Sequence, residues 1–548
     1  MPEQTLAGIQ FTATSIAEQP IARANAQLTA FVGRTLRGPL HQPVIVRSFA
    51  DFQQHFGGLW QPSPLSYAVE HFFEQGGRQA VIVRVANAAA PVTMSLKCGR
   101  ETLRLEACAP GTREFLRASI DYDNIEAGDE QRFNLVIQRV RAPGSERIEE
   151  QETYRGLSID PQSPRFVSLV LMQSDLMRVR GDVPTTRPDR TLMPGTNLPV
   201  GYVSSNPDGN DGKAITDYDV IGSAARGSGL FALEPIDELG FVYIPPLART
   251  VDVGISALLV AARFCRDQRA MLIIDPPASW DTAPEAIRAV RALDFRSDNA
   301  LMFFPRISAM DRLRGRLEVF GNGGAVAGLL SRSGEAVAAA VTEREPEPML
   351  RSSAKLAREV SPSERRLLAA QGVNVLQSVR NPDREWPALR TLACGASASS
   401  DWSYLAQRRF ALFTINAIER GTRWSAGQPN SPHVWARLNQ QISNFLRELR
   451  SAGAFTSVPA DQAFLVICDE RINDGHEPQA INVLVQFAAT HAGEYHSFML
   501  TQRPGGSTVR PVMVNRFEAT LVVSRELEQE ITLRLAPRED FISVLALN

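Results

Sequence analysis

The sequence predicts a multidomain protein of mixed α+β and α/β class, in which an α/β domain is interrupted by a β-rich insertion and the chain ends extend as arms. Three apolar runs, FVYIPPL, AMLIIDPP and ALMFFPRI, are separated by helical segments, the β-α-β-α-β order of a parallel sheet. Between residues 91 and 180 the runs TLRLEACA and RFNLVIQRV alternate instead with period two, which indicates antiparallel strands with one solvated face. A β-β-α-α-β unit precedes this segment, so one interrupted α/β domain is the simplest interpretation.

Composition limits the classes of protein that the chain can belong to. Its 548 residues suggest roughly three or four domains. Lys and Arg together number 58 against 60 Asp and Glu, so no net basic field favours direct binding of nucleic acid. No apolar run approaches the ~20 residues of a membrane helix, and the N-terminus MPEQTLAGIQ lacks the pattern of a signal peptide. We expect no membrane insertion and no export by a cleaved signal peptide.

The cysteines indicate neither a disulfide framework nor a metal ribbon. The chain has five cysteines, which is an odd number. They lie far apart in the sequence and form no C-x-x-C pair. They are Cys98, Cys108, Cys265, Cys394 and Cys468. We interpret them as buried thiols of a protein made in a reducing compartment.

The first α/β layer has clear boundary signals. Residues 28–32 and 44–46 read as short strands. A helix follows, capped by Ser48 and ended by Gly57, and a second helix has Pro64 near its start. The run QAVIVRVAN then reads as a buried strand.

The last third of the chain predicts two strong helices followed by strands. DWSYLAQRRFALFTINAIERG is apolar nearly all round in its second half, so that half should be buried. SPHVWARLNQQISNFLRELRSAG carries one apolar face, with Ser431 as its cap and Pro432 as its first residue. The face consists of Val434, Leu438, Ile442, Phe445 and Leu449.

Together these patterns divide the chain into six segments. They are an N-terminal arm (1–27), the first part of the α/β domain (28–90), the β-rich insertion with a closing helix and linker (91–212), the second part of the α/β domain (213–350), a C-terminal core (351–502) and a β-like extension (503–548).

Two glycine-rich stretches are the candidates for phosphate binding, and both fail the motif test. GNGGAVAG at residues 321–328 lacks the Gly-Lys-Ser/Thr of a P-loop. FVGRTLRGPL at residues 31–40 leads into a proline rather than a helix N-terminus. We interpret the first as a loop entering a small-residue helix and the second as a turn, with Arg34 and Arg37 available for contacts with carboxylates. The seven histidines show no ligand spacing, so we expect no catalytic residue, no cofactor and no metal.

Several motifs, in this order, resemble the contractile-tail sheath protein family of phage tails and contractile injection systems. AFVGRTLRGPLHQPVIVRSFADFQQHFGG and SYAVEHFFEQGGRQAVIVRV are similar to the family's N-terminal signature. DWSYLAQRRFALFTINAIERGTRW, PHVWARLNQQISNFLRELRSAGAF and AFLVICDE are similar to its C-terminal core. The resemblance covers most of residues 28–502. It implies a conserved C-terminal α/β core and a structural subunit that polymerises helically around an inner tube and contracts.

The resemblance also implies the partners. They are further copies of the chain, an inner tube protein, and baseplate and tail-terminator proteins, assembled in the bacterial cytoplasm into a virion tail or a released contractile particle. Two alternatives remain: a baseplate or other structural component of such a particle, or, in another class, an α/β enzyme with an unrecognised nucleotide site. The sequence does not distinguish a phage from a tail-like bacteriocin or an extracellular injection system.

In such a polymer, the resemblance implies that strands from one subunit complete a neighbour's sheet by β-augmentation. LAGIQFTAT and YHSFMLTQ are the expected donor strands, and INVLVQFAA is the expected recipient. The candidate residues are Leu6, Ile9, Phe11, Val483, Val485, Phe487, Phe498 and Leu500. The alternative is that these are ordinary strands of their own domain.

Two features depart from the family pattern. The family's N-terminal strand is present only as the degenerate LAGIQFTAT, and the chain continues beyond YHSFMLTQ into residues 503–548. The extension contains apolar runs that read as strands, which pack either against a neighbouring subunit or against their own core.

Overall fold

A computed structural model describes most of the chain. The described residues are 21, 28–193, 201–292, 295–332, 348–351, 353–378, 387–393, 401–455, 458–473, 479–488, 495–514, 518–522 and 530–534. Within them, no helix combines the length and apolar character needed to cross a membrane.

The described strands are numbered in chain order. They are β1 (Leu28–Gly33), β2 (Val44–Val46), β3 (Ala80–Arg84), β4 (Pro91–Cys98), β5 (Glu101–Pro110), β6 (Leu116–Asp121), β7 (Arg132–Val140), β8 (Ile148–Ser158), β9 (Met177–Val179), β10 (Val203–Ser204), β11 (Gly222–Ser223), β12 (Ser228–Gly229), β13 (Leu239–Tyr243), β14 (Met271–Ile274), β15 (Ala300–Phe304), β16 (Ile307–Asp311), β17 (Arg316–Phe320), β18 (Ala354–Leu356), β19 (Val373–Val375), β20 (Phe464–Ile467), β21 (Ile481–Ala488), β22 (Tyr495–Arg503), β23 (Gly506–Val514), β24 (Glu518–Val522) and β25 (Glu530–Arg534).

The described α-helices are numbered in the same way. They are α1 (Phe49–Phe56), α2 (Pro64–Glu74), α3 (Val167–Val170), α4 (Asp217–Ile221), α5 (Ile255–Asp267), α6 (Ala283–Ala292), α7 (Gly323–Arg332), α8 (Pro362–Ala369), α9 (Leu405–Gly421), α10 (Pro432–Ser451) and α11 (Glu470–Asn473).

The chain divides into two compact units. The α/β unit comprises Gln27–Arg332 and Glu347–Ala396. The C-terminal unit comprises Met1–Ala26, Ser333–Pro346 and Ser397–Asn548.

A seven-stranded sheet organises the α/β unit, in the order β19-β15-β14-β13-β1-β3-β2. All neighbouring pairs are parallel except β2 with β3. The three predicted apolar runs form β13, β14 and β15, and every residue of these strands is buried, as expected for a sheet covered on both faces. Because β1 and β3 precede the insertion and β13 follows it, the predicted mixed fold with an interrupted α/β domain is confirmed.

The predicted caps place the first two helices. The Ser48 hydroxyl accepts a hydrogen bond from the Asp51 amide at 3.0 Å, and Gly57 follows α1 with φ of 86°, a conformation that favours glycine. Pro64 is the first residue of α2, and the Ser63 hydroxyl accepts from the Ser66 amide at 3.2 Å. The sequence signals therefore determine both helix starts.

The β-rich insertion has the predicted period-two pattern. Buried and less buried side chains alternate along β4 and β6. One sheet has the order β4-β5-β9 and the other β10-β6-β7-β8. Side chains of both sheets, such as Leu96, Leu105, Ile120 and Leu135, share one apolar core.

One segment lies in a different unit from the one that the sequence suggests. The sequence groups residues 351–502 as a C-terminal core, whereas the structure places β19 at the edge of the seven-stranded sheet, parallel to β15. The Asn374 side chain donates to the Met302 carbonyl at 3.2 Å and to the Arg390 carbonyl at 2.9 Å. A three-residue strand carries too little periodicity to indicate which sheet it joins.

The C-terminal unit contains α9, α10 and a sheet in the order β20-β21-β22-β23-β24-β25. The predicted apolar face of α10 is buried along its length, and the second half of α9 is largely buried. Pro432 begins α10 as expected, although the Ser431 side chain makes no capping hydrogen bond. In the extension, β23, β24 and β25 continue the chain's own sheet, while the run FISVLALN lies outside the described residues.

Candidate interaction site in the C-terminal sheet

Five of the predicted interaction residues lie together on one face of the C-terminal sheet. In β21 they are Val483, Val485 and Phe487, and in β22 they are Phe498 and Leu500. Val483 lies opposite Leu500, and Val485 lies opposite Phe498. All five are buried in the core that α9 and α10 form with this sheet, so their side chains stabilise the subunit itself.

The backbone of both strands is also paired within the chain. β21 lies between β20 and β22, and β22 lies between β21 and β23. The ladder from β22 to β23 runs from the pair Phe498–Pro511 to the pair Arg503–Gly506. The expected roles of β21 as recipient and of β22 as donor therefore stay predictions, and either role requires the strand to leave a partner within the chain.

The remaining candidates, Leu6, Ile9 and Phe11, lie outside the described residues. Ile21 is described and is 6% exposed, within the core of the C-terminal unit. A Cβ added at Gly421 would lie 2.6 Å from the Ile21 Cγ1 atom, so the end of α9 is shaped for this side chain. Ile21 thus anchors the end of the predicted arm. The only sequence signal is an isolated isoleucine in a polar stretch.

The first strand of this sheet, β20, is one of the two sheet edges within the described residues, and β25 is the other. β20 pairs with β21 along one side only. Leu465 on this strand is 41% exposed, and the Asn439 side chain donates to the Val466 carbonyl at 3.1 Å. A groove of about 640 Å³ lies beside it, between α10 and residues 468–471. An edge strand with unpaired backbone groups is a template for another strand.

A buried polar cluster holds the turn after β22 against the end of α9. Glu419 is 2% exposed, pairs with Arg423 at 2.9 Å and accepts a hydrogen bond from the Ser507 hydroxyl. The Gln502 side chain donates to the Glu419 carbonyl at 3.0 Å and to the Thr422 hydroxyl at 2.9 Å. Sequence reasoning missed this cluster because its members are far apart along the chain.

The glycine-rich helix start at residues 321–328 is occupied by the chain itself. The Asp275 carboxylate accepts from the Gly323 amide at 2.8 Å and from the Tyr243 hydroxyl at 2.5 Å. Burial raises the pKa of Asp275, and the nearby Arg306 opposes that rise. A Cβ at Gly324 or Gly328 would overlap a backbone oxygen of α2. The glycines therefore permit close packing of α7 on α2, as the loop-and-helix interpretation expects.

The arginines of the turn at residues 31–40 are also used internally. Arg34 donates to the Asp211 carbonyl at 2.8 Å. Arg37 is 8% exposed and pairs with Glu149 at 2.8 Å. Arg37 thus makes the expected contact with a carboxylate within the chain, and both arginines have partners in the insertion.

The described residues contain no cluster of His, Cys, Asp and Glu that could hold a metal ion. Cys468 lies beside the groove at α10, but burial raises the pKa of its thiol to about 12. A thiol with such a pKa is a poor nucleophile near neutral pH.

Comparison with known proteins shows a similar fold in a solved structure. No protein-family model matches the chain, and no curated protein does. The sheath tail protein Lin1278 from Listeria innocua has a similar structure, with a TM-score of 0.58 at 12% sequence identity, over 87% of this chain and 96% of that chain. At the level of the fold, this confirms the resemblance inferred from the sequence motifs.

Two contracted sheath structures also match. One is the anti-feeding prophage helical sheath, with a TM-score of 0.46 and 13% identity over 90% of this chain and 98% of that chain. The other is the PVC sheath complex of an extracellular contractile injection system, with a TM-score of 0.47 and 12% identity over 90% of this chain and 96% of that chain.

Proposed function

We propose that this chain is the structural subunit of a contractile tail sheath. It polymerises helically around an inner tube and contracts by rigid-body rearrangement, which drives the tube through a target envelope. The observation that carries the proposal is the fold shared with the Listeria innocua sheath tail protein along most of both chains. The ordered sequence motifs at both ends of the chain support it independently.

The proposed linkage between subunits uses the N-terminal arm and the free edge of β20. Ile21 is fixed in the core of the C-terminal unit. The twenty residues before it could span up to about 66 Å when extended, at roughly 3.3 Å per residue. A strand containing Leu6, Ile9 and Phe11 would add to β20 of a neighbouring copy through main-chain hydrogen bonds. Since such a contact is heterologous, it continues into a helical polymer.

Contraction in this mechanism requires no catalysis. The subunits rotate as rigid bodies while the arm connections persist, and an extended state trapped during assembly relaxes to a more stable one. The further partners that we propose are an inner tube protein, a baseplate and a tail terminator. We propose assembly in the cytoplasm, with no direct contact to nucleic acid and no membrane insertion.

Sedimentation with an inner tube partner tests this function. An inner tube protein of a contractile tail would be co-expressed with this chain, and the mixture would be fractionated by sedimentation velocity. We expect a large, rapidly sedimenting species that contains both proteins. A chain that stays monomeric at every concentration, with and without the tube protein, would contradict the proposal.

A further inference from the structure

The β-rich insertion and α1 enclose a basic cleft of about 700 Å³. Its lining includes four arginines and one carboxylate. These residues are Arg37, Arg113, Arg141, Arg147 and Glu149. The cleft belongs entirely to the α/β unit and is separate from the C-terminal sheet.

A nearly buried arginine lines this cleft. Arg37 is 8% exposed, pairs with Glu149 at 2.8 Å and donates to the Gln54 carbonyl at 2.7 Å. Its Nε–H group is buried and has no hydrogen-bond acceptor. Arg37 thus places in the wall of the cleft a guanidinium that is already paired with Glu149.

Around the cleft, the positive charges exceed the negative ones. Arg139 is matched by Glu114 and Glu150, and Arg117 is matched by Glu146. Three more arginines are exposed and form no ion pair among the described residues: Arg113, Arg141 and Arg147. These three would attract a negatively charged group.

The opposite end of the same strands carries the complementary charge. The loop at residues 122–131 joins β6 to β7, and its Asp123, Glu126 and Glu130 are exposed, with no ion pair in the part of the chain that the structure describes. Asp129 pairs with Arg132 at 3.4 Å. Nearby cations at this end include Arg187 and Arg190, which lie over the Tyr122 ring, and Arg165, whose carbonyl accepts from the Ser158 amide at the end of β8.

The two ends are held apart by a rigid ladder. Leu116 pairs with Arg139 at the basic end, and Asp121 pairs with Asn134 at the acidic end. Five residues along an antiparallel strand span about 17 Å. The acidic loop therefore cannot fold back into the cleft of its own copy.

We propose that the acidic loop of one copy docks in the basic cleft of the next copy. The insertion would thus link neighbouring subunits head to tail, at a contact separate from the arm and the C-terminal sheet. This inference rests on the proposed polymer. A head-to-tail contact between charged ends sets subunit orientation, continues from copy to copy and weakens as salt increases.

Charge reversal tests the docking. One variant carries Arg141→Glu and Arg147→Glu, and the other carries Glu126→Lys and Glu130→Lys. We expect each variant alone to need at least about a tenfold higher concentration to polymerise at low salt, because like charges then meet at every contact. An equimolar mixture should polymerise as the wild type does, since the reversed ends of the two variants complement each other in an alternating polymer.

A matched control carries the charge reversals Arg100→Glu and Arg104→Glu. Both arginines are exposed in the insertion and lie outside the cleft, so we expect this control to polymerise normally. If all variants polymerise at the wild-type concentration, the docking inference is overturned while the sheath proposal stands. If the mixture does not recover, the head-to-tail arrangement is wrong.

Cross-linking separates this inference from the proposed function. A mixture of the Glu126→Cys and Arg147→Cys variants, treated with an added thiol oxidant at low salt and high concentration, should form disulfides between the two variants. A mixture of Glu126→Cys with Arg100→Cys should not. The specific disulfide in a chain that never forms tubes around an inner tube protein would support the docking and refute the sheath. Equal cross-linking in both mixtures would overturn the docking.

Discussion

Gly324 lies where helix α7 meets the backbone of α2. A Cβ at this position would overlap the Ala68 carbonyl oxygen, and one at Gly328 would overlap the Phe72 carbonyl oxygen. The amide of Gly323, at the start of α7, already donates to the Asp275 carboxylate. Gly324 and Gly328 therefore allow the two helices to pack closely, and the Gly323 amide binds the side chain of Asp275.

We expect Gly324→Ala to reduce the free energy of unfolding of the α/β unit by about 1–3 kcal/mol, because the added methyl group forces two packed helices apart. Chemical denaturation followed by fluorescence measures the change. The matched control is Gly128→Ala, since no atom lies within 4 Å of a Cβ at Gly128. A Gly324→Ala variant as stable as this control would contradict the packing role.

At single residues, the sequence predicted what depends on local geometry. Ser48, Gly57 and Pro64 take their predicted places because capping is determined by neighbours in the chain. The partners of Arg34 and Arg37, Asp211 and Glu149, come from the distant insertion. No local pattern reveals such a contact.

At the scale of the elements, strand β22 connects the C-terminal core to the extension. It pairs with β21 on one side and with β23 on the other, and Gln502 at its end is 1% exposed. The turn that follows β22 is tied to buried Glu419 by Ser507. The first strand of the extension is thus integrated into the subunit's own sheet.

Truncation after Gly506 should therefore destabilise the isolated subunit. We expect the melting temperature of the C-terminal unit to fall by more than about 5 °C, since the ladder from β22 to β23 and the Ser507 contact are lost. Differential scanning calorimetry measures this. Truncation after Arg534, which retains β25, is the control. An unchanged melting temperature together with weaker polymers would show instead that the extension serves a neighbouring subunit.

Long periodic elements were predictable and short ones were not. The apolar face of α10 and the buried runs of β13 and β15 each contain enough residues for periodicity or burial to be recognised. β19 has three residues and joins a sheet formed mostly by residues before it. β20 has four residues, so its place at a free sheet edge could not be read from the sequence.

At the scale of the whole molecule, the arm and the folded core have separate roles. Ile21 is the described residue that joins the predicted arm to the core of the C-terminal unit. Residues 1–19 precede this anchor and include Leu6, Ile9 and Phe11. We propose that these side chains serve a neighbouring copy.

We expect deletion of residues 1–19 to leave the fold and melting temperature unchanged and to abolish ordered assembly, because Ile21 and the core remain while the donor strand is lost. Circular dichroism measures the first effect and sedimentation the second. A control replaces Leu6, Ile9 and Phe11 with alanine, which keeps the arm's length. Regular polymers from the deleted chain would contradict the arm linkage.

Electron microscopy of the co-expressed chain and inner tube protein tests the sheath assignment most directly. We expect helical tubes whose channel is filled by the inner tube protein. They should have a long, narrow form that converts to a shorter, wider form when destabilised. A reconstruction of either form should show each subunit connected to its neighbours by an added strand at β20. Discrete particles without helical order, or tubes that exclude the inner tube protein, would contradict it.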